Sequence, residues 1–189
     1  MSSYPKHYYT LEEYFALELV GDARYEYWDG DIVCMSGGSQ AHSLITSNIH
    51  GLLFVQTRNS ICRVLTGESP IKTPTLPPYR YPDASVVCGK AEFENIGGID
   101  VLVNPVVIVE VLSPQTEKVD KGAKFEAYKA IGSVKEYLLI SQDEPHLTHY
   151  IKEEDGRWKR FDTAESFIKL EAINSNLYLK DIYDGVEFK

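Results

Sequence analysis

The chain has 189 residues, with 28 acidic against 19 basic side chains and a formal net charge of -9, a size that suits one domain spanning 1–189 whose core needs no disulfide or metal staple. That charge argues against a protein coating nucleic acid through bulk positive potential, but not against an enzyme whose acidic site is neutralised by a bound cation. The start MSSYPKHYYT lacks a basic stretch followed by an apolar run, and no segment approaches the roughly 20 apolar residues of a membrane span, so a soluble, cytoplasmic protein with no membrane partner is expected.

Thr10 followed by Glu13 fits a capping box, and Leu11, Tyr14, Phe15 and Leu19 form the stripe of a first helix up to Gly21. RYEYWDGDIVCMS reads as two strands about Asp29-Gly30, the dipeptide that best supplies the positive φ angles of a tight hairpin. After Gly37-Gly38, AHSLITSNIHGLLFVQTR carries Leu44, Ile45, Ile49 and Leu52 at helical spacing. ICRVL reads as a strand, and five prolines from Pro70 to Pro82 rule out regular structure across most of that stretch. DASVVC and PVVIVEVL are two core strands separated by a polar, glycine-containing loop from Gly89 to Asn104. Thr116 is placed to cap a helix running to about Ile131, with Glu117 and Asp120 in its first turn, and Gly132 ends it. KEYLLIS follows as a strand, then HLTHYIKE, RWKRFD and FIKLEAI as short strands with one polar face. The fold class is therefore mixed α/β or α+β about a central sheet. Cys34, Cys62 and Cys88 are odd in number and outside any zinc-ligand pattern, so they read as small buried thiols in a reducing compartment.

Glu110 stands out because it lies in an unbroken apolar strand, where an ionised carboxylate is rarely buried without compensation. Alternation puts Val106, Ile108, Glu110 and Leu112 on one face and Val107, Val109 and Val111 on the other. On the helix that follows, Val119, Ala123, Ala127, Ala130 and Ile131 form the expected buried stripe, bordered by Lys124, with Lys121 further round and Lys129 facing solvent. A hard divalent ion such as Mg²⁺ or Mn²⁺ needs only one or two carboxylates and a main-chain carbonyl beside its waters. Asp83, Glu110 and the Val111 carbonyl supply that set, and a lysine such as Lys124 orients an attacking water or stabilises charge on a phosphate.

Tyr81-Pro82-Asp83, Glu110-Val111-Leu112, Asp120 through Lys124, Glu136-Tyr137-Leu138 and RYEYWDGDIVCMSGGSQAH together resemble the bacterial Uma-type family of restriction endonuclease-like proteins, within the PD-(D/E)XK nuclease superfamily. The resemblance implies a restriction-endonuclease-like core: a central mixed sheet flanked by helices, with an N-terminal helix and hairpin and a C-terminal strand meander. It also implies Asp83 and Glu110 as metal ligands and DNA as substrate. In the superfamily's usual pattern the lysine follows the second acid by two residues, a position held here by Leu112. The family resembled supplies its lysine from the next helix, which matches Lys124. In some relatives an N-terminal acid joins the metal shell, a role that falls to Glu26.

Plainer readings stand beside these. Glu110 is otherwise a structural carboxylate held by a salt bridge, Asp83 a turn or strand cap, and Lys124 a solvated helix lysine. His42 and Gln115 are further candidates for contact with the site, against a packing histidine and a loop glutamine. The expected activity is metal-dependent hydrolysis of DNA phosphodiester bonds; the rival is an inactive nuclease-fold domain serving nucleic-acid binding or assembly. Because duplex cutting attacks two strands and the chain is rich in aromatics, a homodimer is expected.

Overall fold

In the computed structural model, which describes residues 7–21, 23–35, 37–114, 116–163 and 166–188, local sequence signals set most of the elements. Helix α1 (Leu11–Val20) starts at the Thr10–Glu13 capping box, whose two reciprocal hydrogen bonds both form. The hairpin of β1 (Tyr25–Trp28) and β2 (Asp31–Cys34) turns at Asp29 and Gly30, both with positive φ. Then come α2 (Gln40–Thr57), β3 (Cys62–Thr66), β4 (Ile71–Lys72), β5 (Tyr79–Arg80), β6 (Ala84–Cys88), β7 (Phe93–Ile96), β8 (Ile99–Leu102) and β9 (Val107–Leu112). The next helix is composite: α3 (Glu117–Val119), a π-helical turn over Asp120–Lys124, and α4 (Phe125–Lys129). The chain ends in β10 (Glu136–Ser141), β11 (Leu147–Lys152), β12 (Trp158–Thr163), β13 (Phe167–Leu170), β14 (Ser175–Tyr178) and α5 (Leu179–Ile182).

Six strands make the central sheet in the order β12-β11-β10-β9-β6-β3. Only β9 and β10 run parallel, because the composite helix carries the chain back across the sheet between them; the other pairs are antiparallel. The architecture is a mixed α+β fold of the expected class. One face packs Val107, Val109 and Val111 on Ile45, Ile49 and Leu53 of α2. The other packs Ile108 and Leu112 on Phe125 and Tyr128 of α4. The alternation read for β9 is thus the one observed, except that Val106 lies ahead of the strand and packs with the α2 layer. A third cluster, Tyr14, Tyr79, Tyr81 and Val101, joins α1 and the β1–β2 hairpin to a small β5-β4-β8-β7 sheet.

Several expectations are corrected. Gly89–Asn104 holds a hairpin: β7 and β8 pair about Gly97-Gly98, and this turn lies against Phe15 and Leu19 of α1. The proline-rich stretch contributes two short paired strands, β4 and β5. On α2 the last turns bury Leu53 and Thr57, with Leu52 only partly covered. Thr116 makes no side-chain cap bond, and its hydroxyl turns to Ser113 instead. The buried face of the composite helix carries Asp120, Lys124, Phe125, Ala127, Tyr128 and Ile131, while Ala123 and Ala130 are exposed; polar partners on the sheet, not apolarity alone, choose this face. The cysteines are not three buried thiols. Strand register sets Cys62 opposite Cys88, where they are joined as a disulfide, and Cys34 is exposed.

Candidate functional site

Antiparallel pairing of β6 with β9 matches Ala84 to Val109, so one residue further on Asp83 comes level with Glu110. The two acids therefore meet at the same end of neighbouring strands. Asp83 Oδ2 accepts the Val111 N–H at 2.6 Å, and its Oδ1 is 3.4 Å from His42 Nε2 at the start of α2. Above the sheet, Lys124 Nζ lies 3.3 Å from both oxygens of Glu110, 3.1 Å from Glu26 Oε1 and 3.3 Å from Asp120 Oδ1. It also donates to the Tyr81 carbonyl at 3.3 Å, while the Tyr128 hydroxyl donates to Glu110 Oε1 at 3.2 Å.

Three carboxylates, Glu26, Glu110 and Asp120, thus surround one ammonium, with Asp83 held beside them by His42 and the Val111 amide. Burial acts to lower Lys124, but Glu110, Glu26 and Asp120 outweigh it and hold the ammonium well above the usual lysine range. Burial pushes Glu110 well above the ordinary carboxylate range against the pull of Lys124, and Asp120, Asp83 and Glu26 add to the rise. Asp120 is raised in the same way, first by burial, with Lys124 and Thr116 opposing. For Asp83 burial also acts upward, yet the His42 bond and charge, the Val111 amide and Lys124 together lower it. His42 rises in turn, chiefly through its bond to Asp83, with the Val111 carbonyl contributing. Acids in excess over cations make a site that favours an added cation.

Side-chain exposure locates the opening. Asp83 and His42 are 22% and 23% exposed, against 4% for Glu110 and 5% for Lys124. The cluster meets solvent on the Asp83 and His42 side. Glu26 arrives on β1, with its other oxygen accepting the Trp28 indole N–H at 3.1 Å. Among the described residues no group of three His, Cys, Asp or Glu side chains is arranged to hold a metal ion.

Asp83, Glu110, Val111, Lys124, Glu26 and His42 are therefore brought together. Lys121 is not: it is exposed and pairs with Glu117 one turn back. Gln115 lies outside the described residues. Two participants escape the sequence reading. Asp120 reads as a helix-dipole acid, although its i,i+4 spacing to Lys124 is a usable signal. Tyr128 leaves no comparable trace.

With this geometry in hand, comparisons with known proteins give a consistent picture. Residues 11–180 match the Uma2 family, described as "Putative restriction endonuclease". The chain is 31% identical over 178 residues to the uncharacterized protein slr1290 of Synechocystis, covering 94% of this chain and 92% of that one. A second Synechocystis protein, sll1609, also uncharacterized, is 30% identical over 149 residues, covering 79% and 84%. A crystal structure of a "putative nuclease belonging to DUF820" from Anabaena variabilis superposes with a TM-score of 0.68 at 20% identity, over 88% of this chain and 93% of that one. The chain belongs to the Uma2 family and has a nuclease-like fold.

Proposed function

We propose that this Uma2-family chain is a divalent-metal-dependent endonuclease that hydrolyses DNA phosphodiester bonds. The observation that carries the reading is the buried cluster of Glu26, Glu110 and Asp120 around Lys124, with Asp83 tied to the next strand by the Val111 amide. Asp83, Glu110 and the Val111 carbonyl are the groups to hold Mg²⁺ or Mn²⁺, hard cations that favour oxygen donors. The fit rests on charge: the acids outnumber the cations, and burial with like charge already drives Glu110 toward protonation. When bound, such an ion lowers the pKa of a coordinated water and offsets charge building on a phosphate.

The protein's own groups have separable tasks. The Val111 amide fixes one Asp83 oxygen and leaves the other toward His42 and the opening. Lys124, shared among three carboxylates, keeps a full positive charge beside the reacting phosphate and donates to an incoming water or a departing oxygen. Burial of Glu110 and Asp120 excludes bulk water and strengthens these interactions. His42 lies at the mouth, where a cationic imidazole meets the phosphate backbone.

The test is plasmid DNA incubated with purified protein in Mn²⁺, Mg²⁺ or chelator, beside Asp83→Asn and Lys124→Ala. Cleavage by the wild type that needs the metal and is lost in both variants is the expected result. Equal nicking by all three would mean a contaminating nuclease and overturn the assignment. A non-catalytic domain is the second reading, favoured by Leu112 at the superfamily's lysine position; saturable Mn²⁺ binding by calorimetry with no cleavage of any DNA would select it. Attack on both strands of a duplex calls for two copies, so sedimentation with DNA should give a mass of two chains.

A further inference from the structure

We propose that Trp28 and Arg80 are positioning residues of this site, acting on Lys124 through Glu26, an inference that rests on the metal-dependent reading above. Arg80 is only 4% exposed, and its guanidinium carbon stands 3.9 Å from the centroid of the Trp28 ring. Its Nε and Nη1 have no hydrogen-bond partner among the described residues. Unmatched buried donors are costly, so this guanidinium is held by the indole face and by the charges of Glu26 and Glu110 nearby.

The same indole works at its other edge. Trp28 Nε1 donates to Glu26 Oε2 at 3.1 Å, while Glu26 Oε1 lies 3.1 Å from Lys124 Nζ. Residues 26 and 28 of β1 share a face because strand side chains alternate. Each oxygen of Glu26 thus has a separate neighbour, an indole N–H on one and an ammonium on the other, and the ring's orientation decides where the negative charge meets Lys124. Packing alone would account for the stacked ring. It would not account for an indole N–H aimed at a carboxylate of the site.

The consequence falls on Glu110. Lys124 is divided among Glu26, Asp120 and Glu110, so a firm hold by Glu26 leaves Glu110 freer to accept a cation. Loosening Glu26 lets the ammonium settle on Glu110 and closes that carboxylate to metal.

The experiment is a double-mutant cycle read by Mn²⁺ titration calorimetry on the full chain: wild type, Trp28→Phe, Glu26→Gln and both together. Trp28→Phe keeps a ring for Arg80 and removes only the N–H. It should weaken Mn²⁺ binding about ten-fold, the scale of one hydrogen bond to a charged group, and the double variant should bind no more weakly than Glu26→Gln alone. Additive losses would overturn the proposal, since Trp28 would then act independently of Glu26. Arg80→Lys keeps the charge but loses the planar face; it should reproduce Trp28→Phe, and wild-type affinity would refute the part given to Arg80. If Trp28→Phe does not fold, judged by its thermal midpoint, Arg80→Lys with Glu26→Gln reads the same coupling. A wild type that binds no Mn²⁺ sinks the metal-dependent reading itself, an outcome distinct from additive losses in a protein that binds.

Discussion

Replacing Lys124 with methionine keeps most of the stem and removes the ammonium that Glu26, Glu110 and Asp120 share. At 3.3 Å from Glu110 and an effective dielectric of about 20, one such attraction is of order 5 kcal/mol. The desolvation of a buried ammonium offsets several kcal/mol of the total. The net expectation for breaking a buried ion pair is a loss of about 3–5 kcal/mol, measured by urea denaturation of a protein that unfolds in two states. The sign of the pH dependence follows from the directions of shift. Glu110 and Asp120 are raised in the folded chain, so their contribution is present below the ordinary carboxylate range and fades as pH rises through their folded values. Without Lys124 they rise further. The deficit of Lys124→Met should therefore be larger at pH 8 than at pH 5, and Mn²⁺ should recover more stability in the variant than in the wild type, because an ion replaces the missing countercharge. A deficit below about 1 kcal/mol, or one equal at both pH values and untouched by Mn²⁺, would refute the charge-imbalance reasoning.

A methyl group on Gly38 would sit 2.9 Å from His42 Nδ1 and 3.3 Å from its Cβ; Gly38→Ala should push the ring off Asp83, and proton NMR should show its pKa falling from the raised wild-type position. Gly97 has φ +59° with its Cβ position 2.5 Å from the Phe15 ring, so Gly97→Ala should cost about 1–3 kcal/mol in urea through backbone strain and overpacking and leave Mn²⁺ affinity unchanged. Away from the site, Glu136 accepts from the Ala172 amide at 2.6 Å and bonds the buried His149. Glu136→Ala strands both partners, at about 1–3 kcal/mol each; calorimetry should again find wild-type Mn²⁺ binding.

Local chemistry made much of this architecture legible. The capping box, the Asp29-Gly30 turn and the valine-rich β9 each carry their signal within a few residues, and each is where the sequence put it. The Gly97-Gly98 hairpin is a local two-residue turn as well, and reading Gly89–Asn104 as one polar loop passes over it. What depended on long-range pairing was not visible. Cys62 and Cys88 are 26 residues apart, and nothing but the β3–β6 register reveals that they face each other. Within the site, Glu110 was conspicuous because a carboxylate among branched aliphatics violates the apolar pattern. Asp120 was not, because an acid in a first helical turn is ordinary. Choosing the helix face by apolarity favoured Ala123 and Ala130, whereas the folded chain buries Asp120 and Lys124 there, since Glu110 waits opposite.

Delivery of the lysine from a helix instead of the strand changes what the site depends on. A lysine at position 112 would share the strand and the face of Glu110, its backbone fixed by the same sheet. Here Leu112 joins the apolar layer with Phe125, and the ammonium descends from the opposite wall. It comes from a π-helical turn, a wide and uncommon geometry often found at functional positions. Such a stem needs outside support, and the support is distributed: Asp120 from its own turn, Glu26 from the hairpin, the Tyr81 carbonyl from the segment before β6. The β1–β2 hairpin, which among the described residues pairs with no strand of the central sheet, is thereby tied to it through charge. Perturbing Glu26 should disturb the site before it disturbs the fold, and that order distinguishes a hairpin that serves the lysine from one that merely covers it.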